Sequence, residues 1–363
     1  MLEYTYVLGS EEKIEYRQPE KDMNMHMTSK KKALALLSGG LDSRLAVRMM
    51  QEQNIDMIAL NYVTPFCNCT AKTSCMSEAR KASQEYGIPL KVIPMFDDFI
   101  KVVQKPKYSY GRGLNPCLDC RILMFKKAAS LMDEVGASFL ITGEVLGERP
   151  MSQRLDAIAT IERDSGLTGL IVRPLSAQLF EPTIPEKEGW IDRSKLLKIS
   201  GRSRRPQIKL AAELGVDDYP CPAGGCLLTE KHFADKLRHL FELREDPSKN
   251  DVLLLKVGRH FSGDSGATQI VVGRDENENK RLEDLSTNTD WLVTIDDWTG
   301  PTTLVRGDAI SDLDLEKAAT LAARYGKGRD EDQVDSTCRF LGETERVIKK
   351  RVSPLSEPKA KIM

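Results

Sequence analysis

Ser38-Gly39-Gly40-Leu41-Asp42-Ser43 follows the apolar run 33–37 and leads into Arg44-Leu45-Ala46-Val47-Arg48-Met49-Met50. That order reads as a buried strand, a glycine turn and the first turns of a helix. Two glycines let the backbone approach an anion closely. The hydroxyls of Ser38 and Ser43 add donors, and the helix start adds free N–H groups and a positive dipole end. The stretch is therefore read as a phosphate cradle rather than an ordinary strand-to-helix turn. It is not a Walker A loop, because no Gly-Lys-Ser/Thr closes it.

Outward from the cradle, further strands are expected over 56–62, 90–94, 138–142 and 169–172. Helices are expected between them over 43–53, 77–86, 97–104, 118–135 and 151–164. Alternation of this kind predicts an α/β fold with a parallel sheet and crossover helices. Ligands of such sheets bind beyond the carboxyl ends of the strands. Thr142 and Gly143, at one such end, join Ser38, Gly39, Gly40, Asp42 and Ser43 as candidate nucleotide-binding residues.

The expected domains are an arm over 1–30, the α/β core over 31–246, a small α+β domain over 247–340 and a flexible tail over 341–363. Helices are expected over 206–214 and 230–243. Strands of the small domain are expected over 252–257, 269–272, 291–295 and 302–305, with helices over 276–285 and 313–325. No apolar run reaches the ~20 residues of a membrane helix, and the start of the chain lacks a signal-peptide pattern. The expectation is a cytoplasmic protein without a membrane partner.

The net charge is −1 over 363 residues, but it is unevenly spread. Residues 91–127 hold eight Lys or Arg against three Asp or Glu, and residues 187–209 eight against two. Residues 274–316 reverse this, with twelve acidic against four basic. A polyanion would therefore meet the middle of the chain. Lys105, Lys107, Arg112 and the run Arg202-Ser203-Arg204-Arg205 are the candidates for phosphate contact.

In a reducing compartment, the eight cysteines point to metal or catalytic roles before disulfides. Cys117 and Cys120 stand three apart at a helix start, just after Asn115-Pro116. The helix dipole and the nearby Arg112, Arg121, Lys126 and Lys127 should favour thiolates there. Cys226 closes a glycine- and proline-framed loop that begins at Cys221. Cys67, Cys69 and Cys75 form a third group, for which a Zn²⁺ site, a second redox site and plain loop cysteines stay open. Cys338 reads as structural, and the four histidines show no metal-binding spacing.

The form SGGxDS resembles the PP-loop of the ATP pyrophosphatase superfamily, whose fold is a Rossmann-like parallel sheet. Residues 115–126, NPCLDCRILMFK, and Gly225-Cys226 resemble the two cysteine motifs of the tRNA thiouridylases in that superfamily, those of the MnmA and ThiI kind. Arg121 and Met124 depart from the first motif. The resemblance covers about residues 33–230 and implies ATP-dependent thiolation of a tRNA uridine, with Mg²⁺ near Asp42. It places the catalytic cysteines on Cys120 and Cys226. The additional Cys117 favours a [4Fe–4S] cluster on Cys117, Cys120 and Cys226 over a two-cysteine persulfide route. Implied partners are tRNA and a sulfur donor, either sulfide or a cysteine desulfurase; the oligomeric state is left open. Residues 256–261, 271–274, 278–279, 291 and 300–301 resemble the NFACT RNA-binding domain and make Lys256, Arg259 and Arg274 RNA-contact candidates. Two other readings stand beside this one: a PP-loop sulfur or amide transferase acting on a small molecule, and a non-catalytic iron–sulfur or zinc RNA-binding protein.

Overall fold

Strand β1 (Lys32–Leu36) lies at the centre of a five-stranded parallel sheet in the order β3-β2-β1-β4-β5. The other members are β2 (Asp56–Val63), β3 (Leu90–Pro94), β4 (Phe139–Thr142) and β5 (Ile171–Val172). The computed structural model describes residues 31–67, 75–220, 225–264, 266–342 and 346–354, and the backbone alone of Cys75. The arm expected over 1–30 lies outside the described residues.

β1 is nearly continuously apolar because it is covered on both faces. Leu34 and Leu36 point into one core with Phe66, Phe99 and Phe125, while Ala33 and Ala35 point into the other with Leu41, Leu45 and Met57. The crossovers are α1 (Leu41–Glu52), α2 (Cys75–Glu85), α3 (Phe96–Gln104), α4 (Cys117–Val135) and α5 (Leu155–Ser165). Gly136 ends α4 at φ 66° and Gly166 ends α5 at φ 75°, the left-handed stops glycine permits. Leu36 is in register with Leu60 of β2 and Thr142 of β4. The loops after β1, β2 and β4 therefore emerge at one sheet edge. The winding reverses between β1 and β4, which is where doubly wound sheets bind ligands.

The short α6 (Ile184–Lys187), α7 (Arg205–Leu214) and α8 (Lys231–Leu243) precede the second sheet. The apolar run expected as a strand over 252–257 is instead the end of α9 (Lys249–Leu254) and the turn after it. Ser248 caps this helix with Asp251 in a reciprocal capping box, and local capping outweighs the apolar run. Val252 and Leu255 pack into the core of Leu34 and Phe66, while Leu254 and Val257 pack with Val271, Leu282, Leu292 and Leu304 of the elements that follow. The junction is thus a shared helix rather than a loose linker.

The second sheet has six antiparallel strands in the order β11-β10-β8-β9-β7-β6. These are β6 (Arg259–Ser262), β7 (Gln269–Val272), β8 (Trp291–Ile295), β9 (Thr303–Arg306), β10 (Val334–Phe340) and β11 (Arg346–Val352). The apolar side of α11 (Asp312–Tyr325) covers one face, and Leu282 of α10 (Glu276–Leu285) packs on the other with α9. The tail expected over 341–363 is corrected by β11, which pairs with β10 from Val334↔Val352 to Phe340↔Arg346. Its Arg and Lys residues made it read as unstructured, but charged side chains are normal on an edge strand. Buried Arg306 binds Asp290 at 2.6 Å and Asp251 of α9 at 3.0 Å, tying the sheet to the junction helix. Breaking one partner of such a pair costs about 3–5 kcal/mol. Among the described residues no helix is long and apolar enough to cross a membrane.

Candidate functional site

The cradle is held from behind, leaving its front open. Gly39 sits at φ +80°, and a Cβ there would come within 2.5 Å of the Glu78 backbone. The buried Arg44 donates from Nε to the Gly39 carbonyl at 2.9 Å and from Nη1 to Glu85 at 2.6 Å. Asn61 of β2 donates to the Leu37 carbonyl at 2.9 Å. Ser43 Oγ donates to the Gly40 carbonyl at 2.8 Å and lies 3.2 Å from Ser38 Oγ. Gly40 is the N-cap of α1, with no side-chain cap, so the N–H groups of the first turn stay available for a ligand.

Gly143 abuts this loop from β4. A Cβ on it would lie 2.5 Å from the Asp42 carbonyl carbon and 2.6 Å from Ser43 N. Thr142 before it is buried. Gly143 thus lets two strand ends approach each other at the cradle.

Asp42, in the first turn of α1, is partly buried. Burial pushes its carboxyl above the ordinary carboxylate range, against the positive charges of Arg204 and Arg149. By hydrogen-bond geometry its buried Oδ1 and the buried Nε2 and Oε1 of Gln207 have no partner among the described residues, although the Gln207 amide lies close enough to lower the Asp42 carboxyl. Glu148 is raised as well, first by burial and then by the charge of Asp42. Two carboxyls and an unsatisfied amide beside two guanidiniums suit a cation bridged to an anion. The residues present therefore fit a nucleotide with Mg²⁺. Sequence reasoning gave Arg204 to an RNA backbone and missed Glu148, Arg149 and Gln207, which carry no motif.

The cysteines meet beside this edge. Three chain segments are stitched there by two backbone hydrogen bonds, Leu114 N to Leu228 O at 2.8 Å and Leu227 N to Phe66 O at 3.0 Å, and Thr229 N closes a turn on Cys226 O at 2.9 Å. A Cβ on Gly113 would strike Leu228 O at 2.2 Å, so glycine is required for that approach. Asp119 accepts from Lys107 N and Tyr108 N, both at 3.0 Å, fixing the loop before α4. Cys117 and Cys120 start α4, and Cys67 stands opposite Cys226 in an isolated antiparallel bridge. Cys120 and Cys226 pack, partly buried, against the core.

Desolvation raises Cys117, takes Cys120 to about 12 and takes Cys226 to about 11. The thiols of Cys226, Cys117 and Cys67 add to the rise at Cys120, which places all four in one neighbourhood. The expectation of thiolates is thus corrected: burial outweighs the dipole and Arg121. Arg121 still lowers Cys117 and Cys120, but its guanidinium also pairs with buried Glu144 at 3.0 Å. Glu144 also binds Arg173 at 3.1 Å, which places it in a scaffold behind the thiols. Arg149 bears on both Cys117 and Asp42 and so links the two halves of the site.

Folded-state values above the unfolded one mean that the folded chain keeps protons the unfolded chain releases. This stability is complete below about pH 8.5. It is lost as pH rises through the about 11 of Cys226 and the about 12 of Cys120. The urea midpoint of the metal-free protein should fall between pH 8 and 10, and less so in Cys120→Ser. An equal fall in both proteins would show that other groups titrate.

Among the described residues no three Cys, His, Asp or Glu side chains stand where they could hold a metal ion. The donors near Cys120 are nonetheless soft sulfur ligands, which suit an iron–sulfur group. Cys69, Cys221 and the Cys75 side chain lie outside the described residues, so the Zn²⁺ expectation reduces to Cys67, which faces Cys226. Lys256, expected at RNA, donates to the Cys67 carbonyl at 3.2 Å. Arg259 stacks over Tyr325 at 4.6 Å, and Arg274 pairs with Glu278 at 3.0 Å. Lys107 pairs with Asp164 at 2.6 Å, whereas Arg112, Arg202 and Arg205 are exposed. Cys338 is fully buried between the antiparallel sheet and α11, as a structural residue would be.

Residues 28–179 match the family model of the thiamine biosynthesis protein ThiI, and residues 258–361 match that of the NFACT protein RNA binding domain. Both resemblances read from the sequence are borne out. The tRNA-specific 2-thiouridylase MnmA of Caldicellulosiruptor saccharolyticus is 26% identical over 234 residues, covering 60% of this chain and 61% of that protein. The corresponding protein of Leptospira biflexa is 32% identical over 132 residues, covering 32% of this chain and 34% of that protein. The chain thus spans about three-fifths of the first relative's length and a third of the second's. Among solved structures, a 4-thiouridine synthetase–RNA complex with bound ATP aligns at TM-score 0.33 and 22% identity, covering 51% of this chain and 52% of that one. The U34-tRNA thiolase NcsA from Methanococcus maripaludis, with its [4Fe-4S] cluster, aligns at TM-score 0.31 and 21% identity, covering 62% and 73%.

Proposed function

We propose that this chain is an ATP-dependent tRNA uridine sulfurtransferase. The observation that carries the reading is the meeting, at one sheet edge, of a phosphate cradle with the thiols of Cys117, Cys120 and Cys226. The two family matches, one over each part of the chain, support it.

A uridine carbonyl oxygen is a poor leaving group, and the two halves of the site divide that difficulty. ATP would lie along residues 38–43 at the start of α1, and Asp42 with Glu148 would hold Mg²⁺. The uridine oxygen attacks the α-phosphorus; the bond to pyrophosphate breaks, and Arg149 and Arg204 offset the charge that develops. Thr142 and Gly143 close the back of the cradle. A sulfur nucleophile then adds to the activated carbon, the carbon–oxygen bond breaks, and AMP leaves with the oxygen. Cys117, Cys120 and Cys226 share one neighbourhood and are soft donors, but they do not stand at metal-holding geometry; they would have to draw together to hold a [4Fe–4S] cluster, which when bound would supply an iron that accepts sulfide. Their desolvated thiols also exclude water from an intermediate that water would destroy. Cys120 and Cys226 are the catalytic pair in this reading. The sulfur comes from sulfide or a cysteine desulfurase, and tRNA is held by Arg112, Arg202, Arg205 and the second sheet's domain.

Asp42→Asn keeps the size of the side chain and removes its charge. Pyrophosphate release in the presence of tRNA should fall by about 10²-fold or more, with an unchanged far-ultraviolet spectrum. Release at the unaltered rate would remove Asp42 from the nucleotide site.

A further inference from the structure

Cys67 belongs to neither the cradle nor the three-thiol group, yet the fold sets it against one member of that group. Leu227 N donates to Phe66 O at 3.0 Å, one residue to either side of the Cys67↔Cys226 bridge. That placement makes Cys67 and Cys226 a non-hydrogen-bonded antiparallel pair, the kind with Cα atoms about 4.5 Å apart and side chains on the same face. A disulfide takes Cα separations of about 4.4–6.8 Å. The register is clamped on both sides. Phe66 is fully buried between Phe99 and Phe233, with ring centroids 5.6 and 6.0 Å away. Thr229 Oγ1 donates to the Cys226 carbonyl at 2.7 Å, and Lys256 Nζ donates to that of Cys67 at 3.2 Å. A slip of one residue would turn both thiols to opposite faces.

We propose that Cys67 and Cys226 form a reversible cross-strand disulfide that withdraws Cys226 from the thiol group and halts sulfur insertion while sparing adenylation. The second half of this statement rests on the sulfurtransferase reading; the first does not. In the step, both S–H bonds break and one S–S bond forms; where Cys226 is bound to iron, that bond breaks in place of its S–H and solvent supplies the second proton. Two protons and two electrons pass to a small-molecule disulfide, whose own S–S bond is cleaved to two thiols. A dithiol reverses the exchange. The cradle of residues 38–43 contains no cysteine, so adenylation has no sulfur to lose.

The test is a disulfide map of the metal-free wild-type protein after exposure to oxidised glutathione, with remaining thiols alkylated before digestion. The expected result is a dominant Cys67–Cys226 linkage that dithiothreitol removes. A dominant Cys117–Cys120 or Cys120–Cys226 linkage, or no linkage, overturns the proposal. In the holoprotein, oxidised glutathione should lower thiouridine formation at least tenfold and leave pyrophosphate release within twofold, and Cys67→Ser should escape the loss. Equal inhibition of Cys67→Ser overturns the switch. The expected linkage together with no thiouridine from the reduced holoprotein would uphold the disulfide and sink the sulfurtransferase reading instead.

Discussion

Gly143→Ala should lower pyrophosphate release by about 10²-fold or more while the chain still folds. The added methyl would lie 2.5 Å from the Asp42 carbonyl carbon, 2.6 Å from its oxygen and 2.6 Å from Ser43 N. All three are backbone atoms, so no flexible side-chain end can swing aside. β4 cannot retreat easily, because it is paired with β1 on one side and β5 on the other. The strain therefore falls on the cradle loop, and a shift near 1 Å can cost about 10²-fold in rate. Overpacking of this kind costs about 1–3 kcal/mol of stability. Gly136→Ala is the control: it meets a positive φ of 66° but nothing within 4 Å. It should lose stability and keep its turnover. Equal losses of turnover in both variants would show that close approach to the cradle is not what Gly143 provides.

Cys120→Ala and Cys226→Ala should each abolish thiouridine formation, by at least about 10³-fold, and leave ATP cleavage in the presence of tRNA largely intact. The thiols lie on the start of α4 and on the segment paired with Cys67, whereas the cradle is formed by the end of β1 and the start of α1. A variant that lost both half-reactions equally would show that the thiols also shape the nucleotide site. Arg149→Ala should differ from both, since that residue bears on Asp42 and on Cys117. Slower pyrophosphate release and slower sulfur insertion are both expected of it.

The contrast between these variants follows what could be read in the chain. The strand, glycine loop and helix around Asp42 are local and were legible, as was the helix that begins at Cys117-Leu118-Asp119-Cys120. The pairing of Cys67 with Cys226 was not, because nothing local says that the loop after β2 meets the segment before α8. Thiolates were expected from nearby arginines, but desolvation depends on packing that spacing does not encode. The place of Glu144 just past the end of β4 does not reveal its role, because its partners Arg121 and Arg173 come from other elements. In the second domain, Val252-Leu253-Leu254-Leu255 has no period that separates a strand from a short buried helix, and only the Ser248–Asp251 capping box decides it.

The central claim is that one site activates a tRNA uridine with ATP and replaces its oxygen by sulfur. The most direct measurement incubates the anaerobic holoprotein with a tRNA transcript, ATP, Mg²⁺ and sulfide, then quantifies thiouridine by nucleoside mass spectrometry alongside AMP and pyrophosphate. The predicted result is thiouridine, AMP and pyrophosphate in equal amounts, with no thiouridine when ATP is omitted. AMP and pyrophosphate formed without any thiouridine, or thiouridine formed without ATP cleavage, would contradict the claim.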